Sequence, residues 1–220
     1  MKKEIPVLYE DNSFIVFDKP SGLLVIPAPQ NEHNTLVNVV NQQYADKGFW
    51  RLWPCHRLDK ETSGAIIFAK GKSHQKMMME VFKQREVLKK YIAFVHGKLS
   101  SQQGELCSAI RSFDHKKFRK NVSAQLAITR YKVIEQKKLF SIIEVQPVTG
   151  RTNQIRIHFS EKKHPLVGDR KYAFGRDYSL KFRRTALHAA ELGWKHPVTD
   201  QKIKVQSVLP KDMEEFSWKQ

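Results

Sequence analysis

Three features predict an α+β fold built on a mixed, mainly antiparallel β-sheet with flanking helices and loops. Strand-like segments outnumber helical ones. They do not alternate with helices as a doubly wound fold requires, and several are joined in pairs by short polar turns. Residues 7–9 and 14–17 are apolar runs on either side of the turn Glu10-Asp11-Asn12-Ser13, and Lys19-Pro20-Ser21-Gly22 then breaks the chain. The spacing of Leu36, Val39 and Val40 predicts a helix over 35–44. Residues 64–69 are apolar and β-branched, as in a buried strand. Ser73 is placed to cap a helix from His74 to about Arg85, with Met77, Met78, Val81 and Phe82 as its core stripe. Residues 90–95 alternate, with Tyr91, Ala93 and Val95 on one face. A hairpin is expected from 124–134 and 139–145 about the turn 135–138, followed by a short helix over 154–159. Late strands at 186–192 and 203–208 flank the His196-Pro197 turn. No internal repeat, low-complexity segment or linker interrupts the chain, so residues 1–220 are expected to form one domain.

Composition narrows the function classes. Apolar residues make up 40% of the 220, including 13 Phe and 4 Trp, which argues against intrinsic disorder. No apolar run approaches the roughly 18–20 residues that span a bilayer. Pro6, Glu10 and Asp11 fall where a signal peptide needs an apolar stretch. Cys55 and Cys107 are too few for a disulfide framework. A soluble, cytoplasmic protein with no membrane partner is expected. The 39 Lys+Arg against 22 Asp+Glu leave a formal charge of +17, which favours a polyanionic partner, nucleic acid first. Two clusters sharpen this: RSFDHKKFRK from Arg111, where Phe113 and Phe118 interleave with Lys116, Lys117 and Arg119, and KFRR from Lys181. Cations neutralise phosphates, and aromatics between them can stack on unpaired bases.

Three segments carry candidate chemistry. In HRLDKETSG from His56, Asp59 lies between Arg57 and Lys60 at the mouth of a strand. A carboxylate among cations suits a nucleophile better than a general acid, although a turn in which Asp59 caps backbone amides has the same pattern. In KKYIAFVHG from Lys89, Tyr91 is either core or a site residue. In PVTGRTNQIRIH from Pro147, Gly150 allows a tight turn, while Arg151, Gln154 and Arg156 supply donors. Arg156 is fit for a paired contact to a carboxylate or phosphate, or for a structural salt bridge.

Together these segments resemble the RluA branch of the pseudouridine synthases. That family shows HRLDxxTSG, then KxYxAxVxG, then PxTGRxHQxRxH and HPxxGDxxY; the chain has HPLVGDRKY from His164 as its counterpart of the last. EDNSFIVFDKPSGLLVIP from Glu10 and LHAAELGWKHP from Leu187 are similar to the family's first and last strands, so the resemblance runs nearly end to end. It departs at Asn153, where the family usually has His, and at Lys162-Lys163, where a small residue is usual. The small ribosomal-protein-like RNA-binding domain that some relatives carry in front is expected to be missing.

The resemblance implies isomerisation of uridine to pseudouridine in structured RNA, ribosomal or transfer, by a monomer. The glycosidic nitrogen–carbon bond breaks and the base is rejoined through a carbon, so neither cofactor nor metal is expected. Asp59 matches the essential aspartate, acting as nucleophile or assisting a glycal-like intermediate. Tyr91 matches the tyrosine that packs on the target base and is a candidate for proton abstraction, and Arg156 the arginine that pairs with the aspartate. Arg57 matches the arginine that fills the gap left by the flipped uridine. His56, Arg57, Arg151 and Gln154 are expected to contact the base or its RNA, and Lys116, Lys117 and Arg119 its phosphates. Two rival readings are a non-catalytic basic RNA-binding module, for which the patches alone suffice, and a metal-dependent nuclease. The nine scattered His, with no HxH or HExxH pattern, disfavour the nuclease.

Overall fold

The computed structural model describes residues 4–27, 34–46, 51–111, 123–173 and 180–219. In chain order the elements are β1 (Val7–Glu10), β2 (Phe14–Lys19), α1 (Leu36–Gln43), β3 (Leu52–Pro54), β4 (Ser63–Lys70), α2 (Lys72–Lys83) and β5 (Leu88–His96). There follow β6 (Gln103–Ile110), β7 (Gln125–Gln136), β8 (Phe140–Pro147), α3 (Gln154–Glu161), β9 (Leu187–Lys195), β10 (Lys202–Gln206) and α4 (Lys211–Lys219). The residues form two compact units: the first is Met1–Tyr91 with Leu187–Lys219, the second Ile92–Ala186.

In the first unit β1 pairs antiparallel with β2, and β2 with β4, in register from Phe14↔Ala69 to Lys19↔Gly64. Strands β3 and β10 lie antiparallel on β4 and β9. The parallel pair is β4 with β9, over only Ser63↔His188 and Gly64↔Ala189. This parallel pair among antiparallel ones agrees with the expected mixed, mainly antiparallel sheet. Alternation along β2 and β4 sends Ile15, Phe17, Ile66 and Phe68 into one core with α1 residues Leu36, Val37 and Val40. Phe14, Val16, Ala65, Ile67 and Ala69 go into another, with Met78 and Val81 of α2 and Leu192, Trp194 and Val205. With both faces covered, β4 has no polar side to show, hence its unbroken apolar run.

Helices α1 and α2 both begin without a side-chain cap. For α1 the first amides are taken elsewhere: Leu36 and Val37 N–H donate to the Leu24 and Val25 carbonyls at 2.7 and 3.0 Å. For α2 the expected cap at Ser73 is wrong. The helix starts at Lys72, after Gly71 at φ 100, so Ser73 is its second residue. Its stripe also shifts: Met78 and Val81 are buried, while Met77 is 45% exposed.

In the second unit β6, β7 and β8 form an antiparallel meander. The expected hairpin is β7 with β8, bulged between Val133 and Glu135 and closed by Lys137 N–H to the Phe140 carbonyl. Helix α3 packs on all three strands, burying Ile155 and Phe159, the latter edge-on to Tyr131. The segment after α3 bonds to the second half of β5, where His96 N–H donates to Pro165 O and Val167 N–H to Phe94 O. It ends at Gly168, φ +76, where a Cβ would lie 2.0 Å from the Arg184 carbonyl oxygen. Only glycine fits that approach, and it delivers Asp169 to its place.

Candidate active site

In the first unit the HRLDKETSG segment is a loop between β3 and β4, pinned at several points. Leu58 inserts into the α1-side core, 5% exposed. His56 stacks on Phe82 with ring centroids 4.7 Å apart, and its Nε2 accepts the Ile67 N–H at 3.1 Å. Burial, and then the charge of Lys89, pushes its imidazole down to about 3, so it is neutral. At the far end Ser63 Oγ donates to His188 Nδ1 at 3.0 Å across the parallel pair. A Cβ on Gly64 would meet Ala189 O at 2.3 Å, so the TSG glycine serves this close strand approach.

From the other side the loop is held by Lys19. Its residue is wholly buried, yet its Nζ donates to the carbonyls of Pro20, Leu23 and Lys60 at 2.9, 2.7 and 3.1 Å. Gly22 N–H and Ser21 Oγ add bonds to the Lys60 and Glu61 carbonyls. The KPSG turn is thus a cradle for residues 59–61. Asp59 is half-buried, its carbonyl accepting the Thr62 N–H at 3.1 Å, and Arg57 is exposed. Tyr91 packs against the α1-side core. Burial first, and the charge of Asp59 second, push its phenol well above the usual 10.0. Nearby, burial and then Arg85 push the Lys89 ammonium down.

In the second unit the PVTGRTNQIRIH segment folds as expected, a turn entering α3. Gln154 is 4% exposed and fully engaged within the protein. Its Oε1 accepts from Thr149 Oγ1 and Arg151 N–H, and its Nε2 donates to Ile128 O and Thr129 Oγ1. Asn153 adopts the left-handed conformation, φ 55. Arg156 makes a two-pronged pair with Asp169, Nε to Oδ2 at 2.6 Å and Nη2 to Oδ1 at 2.9 Å, and its Nη1 donates to Asn153 Oδ1 at 2.9 Å. Burial alone would raise the Asp169 carboxyl. Arg156 and the Tyr172 and Lys171 amides more than offset this and hold it below the usual range.

The expected phosphate contacts Lys116, Lys117 and Arg119 lie outside the described residues. In the KFRR cluster Arg184 is turned inward, 7% exposed, donating to its neighbour's carbonyl at Thr185 and lying over Phe182. It is not the surface cation that the cluster suggests. Sequence reasoning gives no role to Lys19, Asp169 or His188. A lysine closing an apolar strand just before Pro20 is the signal that marks Lys19. Among the described residues no group of three His, Cys, Asp or Glu side chains is gathered as a metal would need.

Residues 13–161 match the family model described as RNA pseudouridylate synthase. The chain is 34% identical over 215 residues to the Uncharacterized RNA pseudouridine synthase YhcT of Bacillus subtilis (strain 168), covering 96% of this chain and 70% of that protein. To the Ribosomal large subunit pseudouridine synthase D of Blochmanniella floridana it is 34% identical over 224 residues, covering 94% and 70%. Among solved structures, Human RNA Pseudouridylate Synthase Domain Containing 4 superposes with a TM-score of 0.78 at 26% identity, covering 96% of this chain and 90% of that one.

Proposed function

Since the chain belongs to the RNA pseudouridylate synthase family, it isomerises uridine to pseudouridine in RNA, and we propose that Asp59 is the nucleophile of that reaction. What supports this reading is the match of Asp59 to the HRLDxxTSG motif, together with its nearness to Tyr91 within the first unit, close enough for the carboxylate to add to burial in raising the phenol. Asp59 attacks the ribose C1′ as the glycosidic bond breaks, its electron pair staying on the uracil N1, and the Tyr91 ring packs on the freed base. The ester at Asp59 removes the negative charge that adds to burial in raising the phenol, and the Tyr91 proton passes to N1. As the base carbon joins C1′ and the Asp59 carboxylate leaves, the phenolate takes the proton from that carbon.

Arg57, exposed on the same loop, takes the place of the flipped uridine in the stack. His56 and Gln154 act by holding their loops, since the His56 Nε2 and all the Gln154 amide groups are taken by the protein. Arg151, Lys116, Lys117 and Arg119 meet phosphates, and Arg156 takes part in the chemistry, as the family resemblance implies. Residues 1–220 work as one catalytic domain, monomeric and cytoplasmic, without cofactor. The names of the relatives make large-subunit ribosomal RNA the first substrate to test, with transfer RNA second. Pseudouridine mapping of total RNA from cells with and without the gene should show loss at one or a few ribosomal uridines. Loss confined to transfer RNA would move the substrate, and no loss at all would refute the reading.

A further inference from the structure

Around Arg156 the second unit builds more than an ion pair. The Asp169 side chain is 0% exposed and is itself fixed, because its Oδ1 also accepts the Lys171 and Tyr172 amides at 2.9 and 3.0 Å. Asn153, whose Oδ1 takes the Arg156 Nη1, turns its Nδ2 to the Tyr172 hydroxyl at 3.1 Å. The Tyr172 ring lies under the guanidinium, 4.9 Å from its central carbon. Ser160 Oγ in turn holds the Tyr172 carbonyl at 2.6 Å. At least three of the five guanidinium N–H donors are thus committed, along one edge and part of another, and one face is covered.

We propose that Asp169, Asn153 and Tyr172 form a positioning device that holds Arg156 in one plane for the reaction, with Asp169 its principal member. The exposures fit this role: the arginine side chain is 13% exposed against 0% for the carboxylate, so a cation is presented outward from an anion that water does not reach. An arginine on a long stem would otherwise turn toward any phosphate of an incoming RNA. Edge-on binding by Asp169 and stacking on Tyr172 remove that freedom. Asn153 suits this arrangement because one amide side chain accepts from Arg156 and donates to Tyr172 together, and its left-handed backbone, which asparagine tolerates, sets it at the start of α3.

The inference rests on the reading that Arg156 takes part in the chemistry, and the experiment separates the two. Single-turnover rate and RNA affinity are measured on the full chain for Asp169→Asn, Asn153→Ala, Arg156→Ala and each double variant with Arg156→Ala, with folding checked by thermal melting. Misplacing the guanidinium should cost Asp169→Asn roughly 10²-fold in rate and Asn153→Ala about tenfold, with affinity nearly unchanged. Neither should slow Arg156→Ala any further, because both act through that side chain. A merely structural role would lower rate and affinity together and add to the Arg156→Ala loss, overturning the proposal. Full activity of Asp169→Asn and Asn153→Ala beside an inactive Arg156→Ala overturns the proposal alone. Full activity of Arg156→Ala overturns the reading beneath it as well. If Asp169→Asn does not fold, Asn153→Ala, at a partly exposed position, decides by the same criteria.

Discussion

Replacing Lys19 by Met tests how the loop carrying Asp59 is held. Methionine keeps the apolar stem and all but one atom of the length, and removes the ammonium and its donors. The Pro20 and Leu23 carbonyls lose a charge-assisted bond, whereas the Lys60 carbonyl keeps the Gly22 N–H at 2.8 Å. A hydrogen bond to a charged group contributes about 1.5–3 kcal/mol, and an apolar side chain in place of a buried ammonium returns part of that. A net loss of about 2–4 kcal/mol follows, to be read from the midpoint of urea unfolding at unchanged slope. The folded variant should also turn over at least tenfold more slowly, since residues 59–61 lose their cradle and displacements of about 1 Å cost roughly 10² in rate. A loss below about 1 kcal/mol with native turnover would refute this account of the loop.

Arg57→Ala should impair structured RNA far more than a short unpaired oligonucleotide, because closing the stack recovers a few kcal/mol. Equal losses on both, measured as single-turnover rates, would reject the flipping role. Tyr91→Phe keeps the ring and should leave RNA affinity near normal while slowing both substrates by about 10²–10⁴ if its hydroxyl moves a proton. Normal turnover would leave it packing alone. For His56 the folded value is about 3 against 6.5 unfolded, lowered by burial and then by Lys89. The unfolded chain therefore binds an extra proton between those values. Stability is full above pH 6.5 and falls by about 2 kcal/mol on going to pH 5. His56→Gln should remove that part of the slope, leaving the contribution of buried His96, whose value of about 4 acts in the same direction.

The elements legible in the sequence are those whose signal is local. The β7–β8 hairpin shows its turn, β4 its apolar run, and α3 its Thr-Gly turn followed by spaced apolar residues. What escapes is set at a distance. Strand β3 is three residues long and owes its place to Asn41, whose side chain binds both the N–H and the carbonyl of Leu52. Strand β6 buries only Leu106 and Ile110 and, among the described residues, pairs with β7 alone, so it shows little alternation. Helix α4 leaves Trp218 86% exposed, though Pro210 ahead of it and acidic Asp212 and Glu214 in its first turn were available signals. Asp59, Tyr91 and Arg156 are singled out by the family resemblance of their motifs rather than by spacing alone. Lys19 and Asp169 stand in matching motifs as well, but their roles could not be read there, because they lie in backbone carbonyls and a guanidinium that only the fold brings to them.

Purified wild-type protein and Asp59→Asn should be incubated with a large-subunit ribosomal RNA transcript, the RNA digested to nucleosides, and pseudouridine separated from uridine and quantified. The wild type should form it, and Asp59→Asn, folded and still binding the RNA, should fall by roughly a thousandfold or more in rate. An Asp59→Asn variant that keeps more than about a tenth of wild-type turnover would contradict the nucleophile assignment on which the mechanism rests.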